Sequence, residues 1–89
     1  MKESQYCIIT GKVQGVFFRR STLEKAQALG LTGWVKNCPE GQVACLITGE
    51  PEALALMNQW LWEGPCGAVV KDVESLAIPL ELYADFKIV

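Results

Sequence analysis

The stretch Gly11-Lys12-Val13-Gln14-Gly15-Val16-Phe17-Phe18-Arg19 predicts a β-strand that ends in a glycine-containing loop and leads into an α-helix. The backbone N–H groups of such a loop, together with a helix N-terminus, favour an anion. Arg19 and its neighbour Arg20 are the only arginines, because the other six basic residues are lysines. A planar guanidinium can bind two phosphate oxygens at once. The stretch therefore predicts a phosphate site whose candidate residues are Gln14, Gly15, Val16, Phe17, Phe18 and Arg19.

Residue patterns on either side of this stretch predict five strands and two helices. The first strand alternates, with Cys7 and Ile9 on one face and Tyr6, Ile8 and Thr10 on the other. Glycine typically follows the last turn of a helix, and proline is common in the first turn. The predicted strands are Tyr6–Val13, Leu31–Lys36, Gln42–Thr48, Ala68–Leu76 and Asp85–Val89, and the predicted helices run from about Phe18 to Leu29 and from Gly49-Glu50-Pro51 to Gly64-Pro65.

The element order βαββαβ predicts the fold class. Strands and helices in this order are typical of an α+β, ferredoxin-like sandwich, in which two helices pack on one face of an antiparallel sheet. No linker, repeat or low-complexity stretch interrupts the pattern. The sequence therefore predicts a single domain over residues 1–89.

Composition narrows the function classes. The net charge is −2, so the protein lacks the broad basic surface that nucleic-acid binding requires. No apolar run has the length of a membrane span, and the first five residues lack the apolar core of a signal peptide. We therefore expect a cytoplasmic protein with no nucleic-acid or membrane partner, and nothing in the sequence requires more than a monomer.

The chain contains no histidine, which excludes Ser-His-Asp and Cys-His nucleophiles and the usual zinc ligand sets. Its four cysteines form no CxxC pair, so a metal knuckle or a thioredoxin-like motif is not predicted either. Cys7 and Cys45 lie in two predicted strands, so a disulfide between them stays an open alternative. An enzyme with this composition would depend on positioning and electrostatics.

Several further motifs lie along the chain in a definite order and spacing. Together with residues 11–19 they are Gly30-Leu31-Thr32-Gly33-Trp34-Val35-Lys36-Asn37, Pro39-Glu40-Gly41-Gln42-Val43, Gly49, Gly64-Pro65 and Phe86-Lys87-Ile88. In these stretches the chain resembles the acylphosphatase family over nearly its whole length. The resemblance implies the βαββαβ fold and hydrolysis of acyl phosphates to a carboxylate and inorganic phosphate, with no metal or cofactor. It also implies that Arg19 and Asn37, which occupy the family's catalytic arginine and asparagine positions, are the catalytic residues.

The implied reaction agrees with the residues present. The leaving group of an acyl phosphate is a carboxylate whose acid has a pKa of about 4, so it departs without a proton. Phosphoryl transfer then depends on positioning and charge stabilisation. Arg19 can grip the phosphoryl oxygens, while Asn37 can orient a water without adding negative charge. Because the sequence offers no general base, we expect the substrate phosphate to accept the proton from the water.

Other interpretations stay open at this point. Arg20 points about 100° away from Arg19 on a helix, which favours a surface charge or an ion pair. Asn37, taken alone, is typical of a turn. The whole chain could instead be a non-catalytic module that binds a phosphorylated small molecule, or a domain related to part of a larger carbamoyl-phosphate-handling enzyme. A site that binds mainly the phosphate end of the substrate predicts broad specificity for the acyl group.

Overall fold

The computed structural model describes residues 1–89 and contains two helices packed on a five-stranded sheet. The predicted order βαββαβ and the ferredoxin-like α+β fold are confirmed. The predicted short strand at the end of the chain is also present. The elements are β1 (Glu3–Lys12), α1 (Phe18–Ala28), β2 (Thr32–Asn37), β3 (Val43–Gly49), α2 (Pro51–Glu63), β4 (Val69–Ile78) and β5 (Phe86–Ile88). Neither helix is both long and apolar enough to cross a membrane.

The sheet has the strand order β4-β1-β3-β2-β5, and its first four strands pair antiparallel as predicted. The prediction of a fully antiparallel sheet is wrong at the short strand β5, which runs parallel to β2 and makes the sheet mixed. The chain leaves β4 beside the start of β1, where Ile78 pairs with Ser4. It then crosses to the opposite edge of the sheet and must run back in the direction of β2.

Hydrogen bonds hold this crossing segment against the face of the sheet that carries no helix. The backbone carbonyl of Glu81 accepts a bond from the hydroxyl of Thr48 (2.8 Å), and the Glu81 N–H donates to Ser4 Oγ (2.9 Å). Further along, the indole N–H of Trp34 donates to the hydroxyl of Tyr83 at 3.3 Å. These contacts place β5 beside β2, which is the strand that carries Asn37.

The main core lies between the sheet and the helices. Cys7 and Ile9 share one face of β1, as predicted, and this face meets the core, where both are fully buried; Tyr6, Ile8 and Thr10 are only half-buried on the other face. The helices bury one apolar side each against the same layer. Fourteen buried residues form the cluster: Cys7, Ile9, Val13, Phe18, Ala26, Leu31, Val35, Val43, Cys45, Ile47, Leu54, Met57, Leu61 and Phe86.

Gly33 shows how closely the central strands approach. Its φ is +134°, and a Cβ built on it would lie 1.8 Å from the carbonyl oxygen of Leu46 in β3. No side chain fits there, because real Cβ atoms do not come within 3.0 Å of a neighbour. Glycine at this position therefore allows β2 to pair with β3 and carry Asn37 to the end of the strand.

Cys7 and Cys45 are directly opposed in the β1–β3 register, and both are buried free thiols. The neighbouring Cys7 side chain and burial together raise the pKa of the Cys45 thiol well above its usual value. Cys45 therefore stays protonated near neutral pH and packs as a small apolar side chain.

Two leucines on α2 give a matched test of the core. Leu54 is 1% exposed, whereas Leu56 is 50% exposed. We expect Leu54→Ala to lower the free energy of unfolding by about 2–5 kcal/mol, because it removes apolar contacts and leaves a cavity. Leu56→Ala should change it by less than about 0.5 kcal/mol. Urea unfolding followed by circular dichroism measures both values, and equal losses would contradict the described packing.

Candidate active site

A cleft of about 290 Å³ opens where the loop before α1 meets the end of β2. This volume is near the lower end of the range for small-molecule sites, roughly 300–1,000 Å³. Arg19 and Asn37, which lie 18 positions apart in the sequence, both line it. Of the other predicted loop residues, Gly15, Phe17 and Phe18 line the cleft, whereas Gln14 and Val16 do not. The full lining is Val13, Gly15, Phe17, Phe18, Arg19, Arg20, Asn37 and Ile88.

The backbone N–H groups around this cleft have no partners within the protein. The first hydrogen bond of α1 runs from the N–H of Ser21 to the carbonyl of Phe17, at 3.0 Å. No N–H from residue 14 to residue 20 donates to a backbone or side-chain acceptor. A helix always leaves its first N–H groups free, and here the preceding loop adds four more. The result is an uninterrupted run of donors suited to a multivalent anion.

Two residues in the left-handed region shape this run of donors. Gly15 has φ +74°, and a Cβ built on it would meet nothing within 4 Å, so its backbone conformation rather than space requires glycine. Phe17, the residue that caps α1, has φ +60° and ψ +27°, and its side chain caps no N–H group. Successive N–H groups in mixed right- and left-handed conformations form a concave anion-binding nest.

Electrostatics at this end of α1 also favour an anion. The helix dipole places partial positive charge at its N-terminus, and the first turn contains no acidic residue to offset it. Arg19 adds a full charge there, and its exposed guanidinium forms no ion pair with the protein. Positive charge at a helix N-terminus destabilises the free protein, so a bound anion would relieve the repulsion.

Arg20 differs from its neighbour. Its Nε lies 3.5 Å from Oε2 of Glu24, one turn further along the helix, and both side chains are about two-thirds exposed. The ion pair agrees with the alternative drawn from helical geometry, although Arg20 also lines the cleft. An exposed pair of this kind contributes little to stability.

Asn37 ends β2, where it pairs with Val43 of β3. The following turn is closed by backbone bonds, from the N–H of Cys38 to the carbonyl of Gln42 (2.8 Å) and from Gly41 to Cys38 (3.2 Å). The side chain of Asn37 takes no part in these bonds. It is therefore not needed as a turn former, and both its donor and its acceptor are available to a molecule in the cleft.

Gln14 connects the two halves of the site through its side chain. Its Nε2 donates to the carbonyl of Cys38 at 2.8 Å and to that of Gln42 at 2.9 Å. Both donor positions of the amide are thus bound to the turn that follows Asn37. The sequence prediction named Gln14 only as part of the phosphate loop, and no local pattern could indicate a contact 24 and 28 residues away.

These features define a class of protein: a ferredoxin-like domain with a cleft in which a helix N-terminus, an unpaired arginine and a strand-end asparagine meet. Comparison with known proteins identifies the class. The acylphosphatase family model matches residues 5–88. The chain belongs to the acylphosphatase family.

Individual relatives agree with this assignment. The chain is 48% identical over 82 residues to an acylphosphatase of Nitrosococcus oceani, an alignment that covers 92% of each protein. Among solved structures, it resembles an acylphosphatase from Coxiella burnetii with a TM-score of 0.96 and 44% identity, covering 98% of this chain and 92% of that one. The acylphosphatase from Bacillus subtilis gives a TM-score of 0.95 at 33% identity, with 100% and 99% coverage.

The role of Gln14 can be tested by Gln14→Met, which keeps the length of the side chain but removes both donors. The carbonyls of Cys38 and Gln42 each lose a hydrogen bond, so we expect a loss of about 1–3 kcal/mol in the free energy of unfolding. The loop should also bind inorganic phosphate more weakly, because its position relative to Asn37 is less fixed. Urea unfolding and phosphate titration calorimetry measure the two effects.

Gln59→Met is the matched control, because Gln59 is exposed on α2 and away from the cleft. It should leave both quantities unchanged. Wild-type stability and phosphate affinity in Gln14→Met would show that the two bonds to the turn do not organise the site.

Proposed function

We propose that the chain hydrolyses acyl phosphates to a carboxylate and inorganic phosphate, with Arg19 and Asn37 as its catalytic residues. Family membership and 44–48% identity to acylphosphatases over nearly the full length support this enzyme class. The observation that carries the residue assignment is that Arg19 and Asn37 line one cleft beside a run of unpaired N–H groups. The non-catalytic phosphate-binding module is not favoured by these relatives.

In the first step, the phosphoryl group binds at the N-terminus of α1. Its oxygens accept hydrogen bonds from the loop Gln14–Arg19, including the N–H groups of Gly15 and Val16. The guanidinium of Arg19 takes two oxygens and offsets the charge that develops on them. These donors are held in place before the substrate arrives, so little reorganisation is required during the reaction.

In the second step, water attacks phosphorus from the side of Asn37. The side-chain oxygen of Asn37 accepts a hydrogen bond from this water, and its amide group donates to a phosphoryl oxygen. A new bond forms between the water oxygen and phosphorus. The bond from phosphorus to the acyl oxygen breaks, and its electron pair leaves with the carboxylate.

The proton released by the water is accepted by the phosphoryl group itself. Apart from the two arginines, no residue that lines the cleft has an ionisable side chain, so the cleft offers no general base. The carboxylate leaves without protonation, since its acid has a pKa of about 4. The chemistry therefore requires no histidine, in agreement with the composition.

We also propose that the enzyme acts as a monomer in the cytoplasm, with residues 1–89 forming one catalytic domain. Residues of a single chain supply both proposed catalytic side chains and every donor of the anion site. Buried thiols such as Cys7 and Cys45 are typical of a reducing compartment. Sedimentation equilibrium of the purified chain measures the oligomeric state, and a stable dimer would contradict this proposal.

The catalytic roles are tested by hydrolysis of benzoyl phosphate in the presence of a chelator. We expect Arg19→Ala and Asn37→Ala each to lower kcat by about 100- to 1,000-fold, because each removes one preorganised contact to the transition state. Arg20→Ala should cause a much smaller loss, since its guanidinium is paired with Glu24. Circular dichroism establishes that each variant is folded.

Two results would contradict the assignment. Near-wild-type turnover in folded Arg19→Ala or Asn37→Ala would remove that residue from the mechanism. A folded wild-type protein that binds phosphate but does not turn over benzoyl phosphate would be a binding module on the same fold.

The route of the proton is tested by the pH dependence of kcat/KM. Histidine is the side chain that ordinarily titrates between about pH 5 and 8, and this chain has none. We expect no ionisation of a cleft residue to control the rate in that range, because the only ionisable side chains that line the cleft are two arginines, so any change in rate follows the ionisation of the substrate. A profile that requires an enzyme base of neutral pKa, and that is the same for acyl phosphates of different pKa, would contradict proton transfer to the substrate.

A further inference from the structure

Phe17 combines an unfavourable backbone with an exposed ring. It is the only residue other than glycine with a positive φ, and its side chain is 82% exposed. A bulky residue in the left-handed region is strained by about 1–3 kcal/mol, whereas glycine or asparagine adopts it more readily. The ring neither packs in the core nor caps α1. The free protein therefore gains nothing visible from phenylalanine at this position.

The ring lies where a ligand would meet it, because Phe17 lines the same cleft as Arg19 and Asn37. A second exposed apolar residue, Ile88 of β5, lines this cleft and is 38% exposed. Ile88 pairs with Val35 in the parallel β2–β5 register, two positions before Asn37. The cleft thus joins a charged and polar region to apolar groups from two separate elements.

The combination of polar and apolar groups in this cleft matches the two ends of an acyl phosphate. An acyl phosphate carries its charge on the phosphoryl group, and the acyl carbon is only one bridging oxygen away from phosphorus. When residues 14–20 hold the phosphoryl group, the acyl group must lie within the same cleft or at its mouth. The exposed surfaces available to it there include Phe17 and Ile88, and an aromatic ring is well suited to contact another aromatic ring.

We propose that Phe17 and Ile88 form a subsite for the acyl group, which makes the enzyme prefer acyl phosphates with an apolar, and especially an aromatic, acyl group. The subsite rests on the proposed function, since it uses the phosphoryl position assigned there. It is open on its solvent side, so it gives a preference within a broad specificity rather than a strict selection. Strain at Phe17 is then offset only in the complex, through contacts between its ring and the substrate.

The experiment compares two non-hydrolysable analogues, benzoylphosphonate and acetylphosphonate, with inorganic phosphate as the reference ligand. Phe17→Asn removes the ring while keeping a residue that tolerates the left-handed conformation. We expect it to reduce the preference for benzoylphosphonate over acetylphosphonate by about three- to tenfold, as for the loss of one aromatic contact. Affinity for inorganic phosphate, which has no acyl group, is measured in parallel, so that any change in phosphate binding by the loop is separated from a change in preference between the two phosphonates.

Phe17→Tyr is the matched control, since it retains the ring and should retain the wild-type preference. Ile88→Ala provides a second variant outside the loop, and it should reduce the preference in the same direction without changing phosphate affinity. Titration calorimetry measures all affinities, and the ratio of kcat/KM for benzoyl phosphate and acetyl phosphate should change in parallel.

An unchanged preference in both Phe17→Asn and Ile88→Ala would overturn the subsite. Equal weakening of both analogues and of phosphate in Phe17→Asn would also overturn it, because Phe17 would then act only by shaping the loop. Failure of the proposed function gives a different result from failure of the subsite, because the wild-type protein would then hydrolyse neither benzoyl phosphate nor acetyl phosphate. The binding preference is measured without turnover, so it tests the subsite in either case.

Discussion

The unpaired N–H groups before and within the first turn of α1 are the constraint on which the site depends. Seven consecutive backbone donors, from residue 14 to residue 20, are left without an acceptor in the protein. They lie at the positive end of a helix that has no acidic residue in its first turn and that also carries Arg19. Because these N–H groups have no acceptor in the protein, they are free to donate to a bound anion, which is the basis of the proposed phosphate site.

Other parts of the fold keep this surface in place at some expense of stability. Positive φ at Gly15 and Phe17 gives the loop its shape, and the strain at Phe17 has no compensation from core packing. Gln14 uses both of its amide donors to fix the loop to the turn after Asn37. The site therefore consists of a strained loop, a helix end and a strand end that are held together by one side chain and by a rigid sheet behind them.

Local patterns predicted much of the fold. Alternation in β1 correctly put Cys7 and Ile9 on the same face, because successive side chains of a strand point to opposite faces. Glycine and proline correctly marked both ends of α2. The direction of β5 was not predicted, since it depends on where the segment after β4 crosses the sheet. Hydrogen bonds with Ser4, Thr48 and Trp34 hold the segment on that path, and these residues are distant from it in the sequence.

The sequence by itself determined the chemistry that the site can offer. It placed the only two arginines at one helix start, provided glycine where the loop needs positive φ, and supplied no histidine. It could not show which arginine is unpaired, that the side chain of Asn37 is not used in its turn, or that Gln14 contacts that turn. It also gave no sign that Phe17 and Ile88 line one cleft. Those facts belong to the tertiary structure, because side chains far apart in the chain meet only after the strands are paired and the helices are packed on them.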